Sequence, residues 1–385
     1  MTAARFAAPL IASLLLVPAV STRAYAEKSF TEQVRTAVKD VKKEVGQAAK
    51  EAQIHVESAK AKTKKALATT RNIYRGLTNQ PPKPTIAAGS SAPAPAASVA
   101  TLGSFAVAEQ TLTFTDATRR TEASGSNATA PQRSLETLIL SPSGDGAVGR
   151  SFPLVVFAHG LGANPGRYKD LLKPFASAGY VVAAPKFPVS SRAAKSNAEV
   201  LVGLVSETEQ PADIRFVIDQ MLMLSTPGAP MAGLIDPARV AVAGHSLGAT
   251  TVLDLGFNEC CTDPRVRAVV SISGIQNLTR TGAFFTRTPV PLLLIHGNED
   301  PVVPYVGSRF AYEGAGSPKA LLTIVGGDHT FGLTGKPGTS ALVGGLTIQA
   351  MVDFFDRYVK DASDGIDRLR GLVASQPQIL MLDTK

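Results

Sequence analysis

Between residues 110 and 327 eight short apolar runs recur, each too brief for a helix and most rich in valine, isoleucine and leucine. They read "QTLTFTD", "RSLETLILS", "FPLVVFAHG", "YVVAAPKFP", "RVAVAGHS", "VRAVVSISG", "VPLLLIHG" and "ALLTIVGG". Amphipathic stretches such as "PADIRFVIDQMLML" and "IQAMVDFFDRYV" accompany the later runs. A strand that is apolar along its whole length must be covered on both faces. Such runs alternating with helices therefore predict a mostly parallel sheet between two helical layers. The first two runs follow each other without a helix and are expected to form an antiparallel edge. With 44% hydrophobic and 18% charged residues, the 385-residue chain suits one large globular domain with appendages. No internal repeat is present.

The appendages lie at the N-terminus. Residues 1–26 carry Arg5, an apolar stretch from Phe6 to Val20 and the small-residue site Ala24-Tyr25-Ala26. That is the pattern of a signal peptide, so an exported protein is expected, secreted or periplasmic. The apolar stretch is short for a membrane span, which needs about 20 residues. Residues 27–78 hold twelve Lys/Arg against six Asp/Glu. The formal charge of +8 thus resides in the first 78 residues, and the remainder is neutral. Val34, Val38, Val41, Val45, Ala48 and Ala52 recur at spacings of four and three, a heptad-like stripe on a basic helix. Three readings stay open: a solvated stalk, a helix that contacts an anionic surface or membrane, or a coiled coil. Residues 79–100 read as a Pro/Ala/Ser linker and residues 101–385 as the main domain. No specific nucleic-acid binding is expected.

The chemistry concentrates at "RVAVAGHSLGATTVLDLG", where a strand-like run turns into a helix-like one. Gly244-His245-Ser246-Leu247-Gly248 fits G-x-S-x-G, a turn so sharp that its neighbours must be small. It lifts a serine hydroxyl above the C-terminal edge of a sheet. The following helix presents its N-terminus to the same spot and favours negative charge there. A serine hydroxyl needs a base to take its proton and a carboxylate to orient that base. "VPLLLIHGNEDPVVPY" supplies Asp300 after one later strand, with Glu299 as its rival. "ALLTIVGGDHTFG" supplies His329 after the next. The other four histidines, His55, His159, His245 and His296, read as structural. Asp328 is adjacent to His329, and neighbouring side chains seldom face each other. Asp254 reads as a surface or capping group. Two backbone N–H groups should hold an oxyanion, one from Leu247 and one from Leu161 in "HGLGANPGRY". Cys260 and Cys261 are adjacent, which excludes a disulfide framework and leaves either a bridge between neighbours or two thiols.

Residues 102–360 resemble the α/β-hydrolase superfamily, in the region of platelet-activating-factor acetylhydrolase-like and cutinase-like polyester hydrolases. The resemblance rests on "PLVVFAHGLGANPGRY", "FASAGYVVAAPKFP", "PADIRFVIDQML", "RVAVAGHSLGA", "DPRVRAVVSISG", "PLLLIHGNEDPVVPY" and "GGDHTFG". It implies an eight-stranded α/β-hydrolase fold with Ser246 as nucleophile, His329 as base, Asp300 as acid and the Leu161 and Leu247 amides as oxyanion hole. Three departures stand out. The acetylhydrolases carry their acid after the preceding strand, where this chain reads "SISGIQN". The aromatic-polyester cutinases use a tryptophan near the site, and this chain has none. Lys186 stands where such relatives have an acidic residue.

About seventeen residues separate the strand ending at Ser273 from the one starting near Val290, too few for a large helical cap. An open site is expected, suited to bulky, polymeric or small soluble esters. The motifs and the resemblance imply ester hydrolysis through an acyl-enzyme, with turnover expected to rise as the base loses its proton and with no cofactor or metal expected. An acyltransferase or peptidase could use the same triad, and a catalytically silent binding protein could keep the fold.

Overall fold

The computed structural model describes residues 103–121, 130–191, 209–277, 280–286, 288–331, 333 and 340–385. The expected signal peptide, the basic helical segment with His55 and the linker lie outside the described residues.

The strands are β1 (Ala106–Asp116), β2 (Arg133–Ser143), β3 (Phe152–Ala158), β4 (Val181–Lys186), β5 (Ile235–His245), β6 (Val266–Ile272), β7 (Leu292–Gly297), β8 (Lys319–Ile324) and β9 (Leu380–Thr384). They form one sheet in the order β1-β2-β4-β3-β5-β6-β7-β8-β9. All neighbours from β4 through β8 run parallel, while β1 and β2 form the expected antiparallel edge. The sheet has nine strands rather than eight, because β9 adds antiparallel to β8. Its sequence is half exposed and short, so it carries no alternating or continuous apolar signal of its own.

The helices are α1 (Lys169–Ser177), α2 (Gln210–Leu224), α3 (Leu247–Phe257), α4 (Val306–Gly314), α5 (Ser340–Val359) and α6 (Gly365–Ser375). Successive β3 residues feed opposite cores. Val155 and Phe157 join Leu171, Phe175, Phe355 and Leu369, under α1, α5 and α6. Leu154, Val156 and Ala158 join Val217, Met221, Val252 and Ala311, under α2, α3 and α4. Both cores are needed because the parallel strands are buried on both sides, and each fully buried Val, Leu or Phe contributes about 1.5–3 kcal/mol. This is an α/β-hydrolase fold.

The strand order reverses at β3. The chain steps outward from β3 to β4, then returns to the other side of β3 with β5. Loops leaving the C-terminal ends of strands on either side of such a reversal diverge and leave a crevice. Ala158 pairs with Gly244 at that end, so the loop after β3 starts beside the turn after β5.

Candidate active site

Ser246 sits in the turn from β5 into α3 with φ 56° and ψ −121°, a backbone that L-residues rarely adopt. Both flanking glycines are required by close approach rather than by their own torsions. A Cβ on Gly244 would stand 2.4 Å from the Gly248 carbonyl oxygen, and one on Gly248 would stand 2.1 Å from that of Ala158. The Ser246 N–H donates to the Ile272 carbonyl (2.9 Å), which holds the turn against β6.

Four strand ends converge on this serine. His329, after β8, places Nε2 2.9 Å from Ser246 Oγ and Nδ1 2.7 Å from Asp300 Oδ2. Asp300, after β7, has a fully buried side chain. Its carboxylate also accepts from the N–H groups of Val302 (2.7 Å) and Val303 (2.8 Å) and from His296 Nε2 (3.1 Å). Burial pushes this carboxyl up, but donation from His296, His329 and the two amides outweighs it and holds the group well below the usual carboxylate range. The charged form therefore faces the imidazole. Glu299 is exposed, and Asp328 spends Oδ1 on the N–H groups of Thr330 (2.8 Å) and Phe331 (2.6 Å). Asp300 is the carboxylate that contacts His329.

The loop after β3 reaches the serine from the other side. A Cβ on Gly160 would stand 3.1 Å from Ser246 Cβ, closer than an ordinary contact, so a larger residue here would press on the nucleophile. Of its four successive amides, three are used internally. Gly160 N–H donates to Tyr168 Oη (3.3 Å), Gly162 N–H to the Ser190 carbonyl (2.7 Å) and Ala163 N–H to the Gly160 carbonyl (3.1 Å). The Leu161 N–H, like that of Leu247 at the head of α3, has no partner among the described residues. Two free donors next to one nucleophile are what a developing oxyanion requires.

Several residues that read as structural touch this machinery. His159 is fully buried, accepts from the Phe187 N–H at Nε2 (3.1 Å) and donates from Nδ1 to the Gly160 carbonyl (2.9 Å). Burial lowers its pKa to about 4, so it is neutral. His296 donates to the acid, as above. Gln210 bridges Ser190 Oγ (2.6 Å) to the Thr251 hydroxyl (2.6 Å), tying the segment that holds Gly162 to α3. Asp254 is neither exposed nor a cap. It is fully buried and pairs with Arg280 at 2.7 Å, and burial raises its pKa to about 6. Lys186 lies 3.4 Å from Glu136, partly exposed. Cys260 and Cys261 form a disulfide between neighbours. Among the described residues no group of three His, Cys, Asp or Glu could hold a metal ion, and no helix is long and apolar enough to cross a membrane.

The sheet, the turn at Ser246 and the order serine, acid, histidine are those of the α/β-hydrolase superfamily. The family model described as Chlorophyllase matches residues 97–284. That stretch contains the Gly160 loop and Ser246 and stops before Asp300 and His329. Among curated proteins, the uncharacterized protein YfhR of Escherichia coli K12 is 27% identical over 138 residues, covering 31% of this chain and 46% of the relative. Its counterpart in Salmonella typhi is 29% identical over 128 residues, 26% of this chain and 44% of the relative. The chain spans under half the length of the curated relatives it matches. These similarities support the α/β-hydrolase superfamily as a whole and do not single out its acetylhydrolase-like or cutinase-like groups.

Proposed function

We propose that the chain is a serine hydrolase that cleaves carboxylic esters through an acyl-enzyme. The observation that carries this reading is the unbroken series Ser246 Oγ, His329 Nε2, His329 Nδ1, Asp300 Oδ2, with contacts of 2.9 and 2.7 Å. The match to a chlorophyllase family model supports ester bonds as the target class.

His329 takes the Ser246 proton as Oγ attacks the ester carbonyl carbon. The carbonyl π electrons move to oxygen, and the Leu161 and Leu247 amides donate to that oxyanion. Collapse breaks the bond to the alkoxy oxygen, which leaves with the proton from His329. Water then gives a proton to the same imidazole and attacks the acyl carbon. Collapse breaks the acyl–Oγ bond, releasing the acid, and His329 returns the proton to Ser246 Oγ. The residues 1–26 pattern adds export to this proposal, and the basic segment 27–78 adds contact with an anionic surface.

The test is hydrolysis of chromogenic esters from acetate to palmitate by the protein and by Ser246→Ala. Turnover over a band of chain lengths, lost in the variant, is the expected result. Equal turnover in both proteins, or none in either, refutes the reading.

A further inference from the structure

Three hydrogen bonds join the two loops that flank Ser246 without passing through the triad. The Gly160 N–H donates to Tyr168 Oη (3.3 Å), the Tyr168 O–H donates to His245 Nδ1 (2.9 Å), and His245 Nε2–H donates to the His329 carbonyl (2.9 Å). The direction is forced. A carbonyl can only accept, so the neutral imidazole carries its proton on Nε2, and its bare Nδ1 must accept from the Tyr168 hydroxyl. Burial lowers the His245 pKa to about 4, which keeps that neutral form in place. Both side chains are buried, Tyr168 at 1% exposure and His245 at 3%, so water does not compete for these bonds. Ser273 Oγ adds a second donor to the His329 carbonyl (3.1 Å).

We propose that Tyr168 and His245 are positioning residues that fix the Gly160–Leu161 loop and the His329 loop in one mutual geometry. The inference rests on the ester-hydrolase reading above. Oxyanion donor and base act on opposite sides of the same carbonyl, and each arrives on a separate loop after a separate strand. Sheet pairing places the strand ends and the Ser246–His329 contact places the base, but neither bonds the Gly160 backbone to the His329 loop. The relay does, through the residue immediately before the nucleophile. A displacement of about 1 Å at such a site costs on the order of 100-fold in rate.

The two ends of the relay can be cut separately. Tyr168→Phe removes the hydroxyl and frees the Gly160 amide. His245→Asn keeps an acceptor for Tyr168 but has no donor that reaches the His329 carbonyl. His245→Gln keeps a donor on that side and loses the nitrogen acceptor. We expect each variant to lower kcat about 10–100-fold with KM within about twofold. His245→Asn should also move the acid limb of the kcat/KM profile, because the base itself is released, whereas Tyr168→Phe and His245→Gln should leave it in place. The double variant Tyr168→Phe/His245→Gln should be no slower than the worse single one, since both open the same link. Amide hydrogen exchange on the resting protein supplies a readout independent of turnover: Gly160 should exchange faster in Tyr168→Phe.

Wild-type kcat in Tyr168→Phe and His245→Asn overturns the proposal, as does a loss that merely tracks the unfolded fraction in a thermal melt. Multiplying losses in the double variant overturn it as well. A wild-type protein with no ester turnover refutes the hydrolase reading, and the positioning role falls with it. Turnover with undiminished variants refutes the positioning role alone.

Discussion

At Asp300, one carboxylate takes hydrogen bonds from two histidines and two amides. Oδ1 is held by the Val302 and Val303 amides, which leaves Oδ2 aimed at His329. An amide in place of the carboxylate would present a donor or a neutral oxygen to Nδ1 and favour the wrong tautomer. Asp300→Asn is therefore expected to lower kcat by about 10³–10⁴-fold with the fold intact, read by steady-state kinetics beside circular dichroism. Part of this residue's role was legible: order along the chain and position after a strand point to the loop holding Asp300. They leave Glu299 beside it as a rival, and only the contact with His329 separates the two. The part played by His296 was not. Its side chain meets the carboxylate four residues on only because the loop doubles back, and a sequence does not record loop direction. The same holds for Tyr168 and His245, whose partnership spans 77 residues and depends on two buried side chains meeting.

The turn between β5 and α3 was legible from composition alone, since small residues at Gly244 and Gly248 have a steric reason. That reason is now explicit: the Ala158 carbonyl lies where a Gly248 Cβ would go. Gly248→Ala must push α3 away from the end of β3, costing about 1–3 kcal/mol or more and moving Ser246 from His329. Melting temperature and turnover should fall together, and a variant with both unchanged would contradict the packing account. The eight strands with continuous apolar runs were legible for the same kind of local reason. Strand β9 was not, because Leu380–Thr384 becomes a strand only through its ladder to β8. Asp254 was misjudged for a related cause: its helix is buried on nearly every side, so a polar position on it faces a loop, not solvent.

Across the whole molecule, the antiparallel edge is bound to the helical layer by charge. Arg133 on β2 donates to both oxygens of Asp213 on α2 at 2.5 and 2.6 Å, with both side chains buried. Arg119 links that pair to Asp116 at the end of β1. Burial pushes the Asp116 carboxyl up, but bonds from Thr118 and Arg119 outweigh it and bring its pKa from 3.8 to about 2. A folded pKa below the unfolded one means that the unfolded chain binds more protons between these values. The stabilisation is thus full above about pH 4 and is lost as pH falls towards about 2. The melting-temperature gap between the protein and Asp116→Asn should be constant near neutrality and close over that window. A gap that widens in acid would reverse the sign and contradict the assignment. The central claim, that this fold presents one activated serine, is tested most directly by intact-protein mass spectrometry after reaction with a fluorophosphonate. The account predicts a single adduct, mapped to Ser246, with ester turnover lost in step and no labelling of Ser246→Ala. An unlabelled Ser246, or an adduct elsewhere that abolishes turnover, would contradict it.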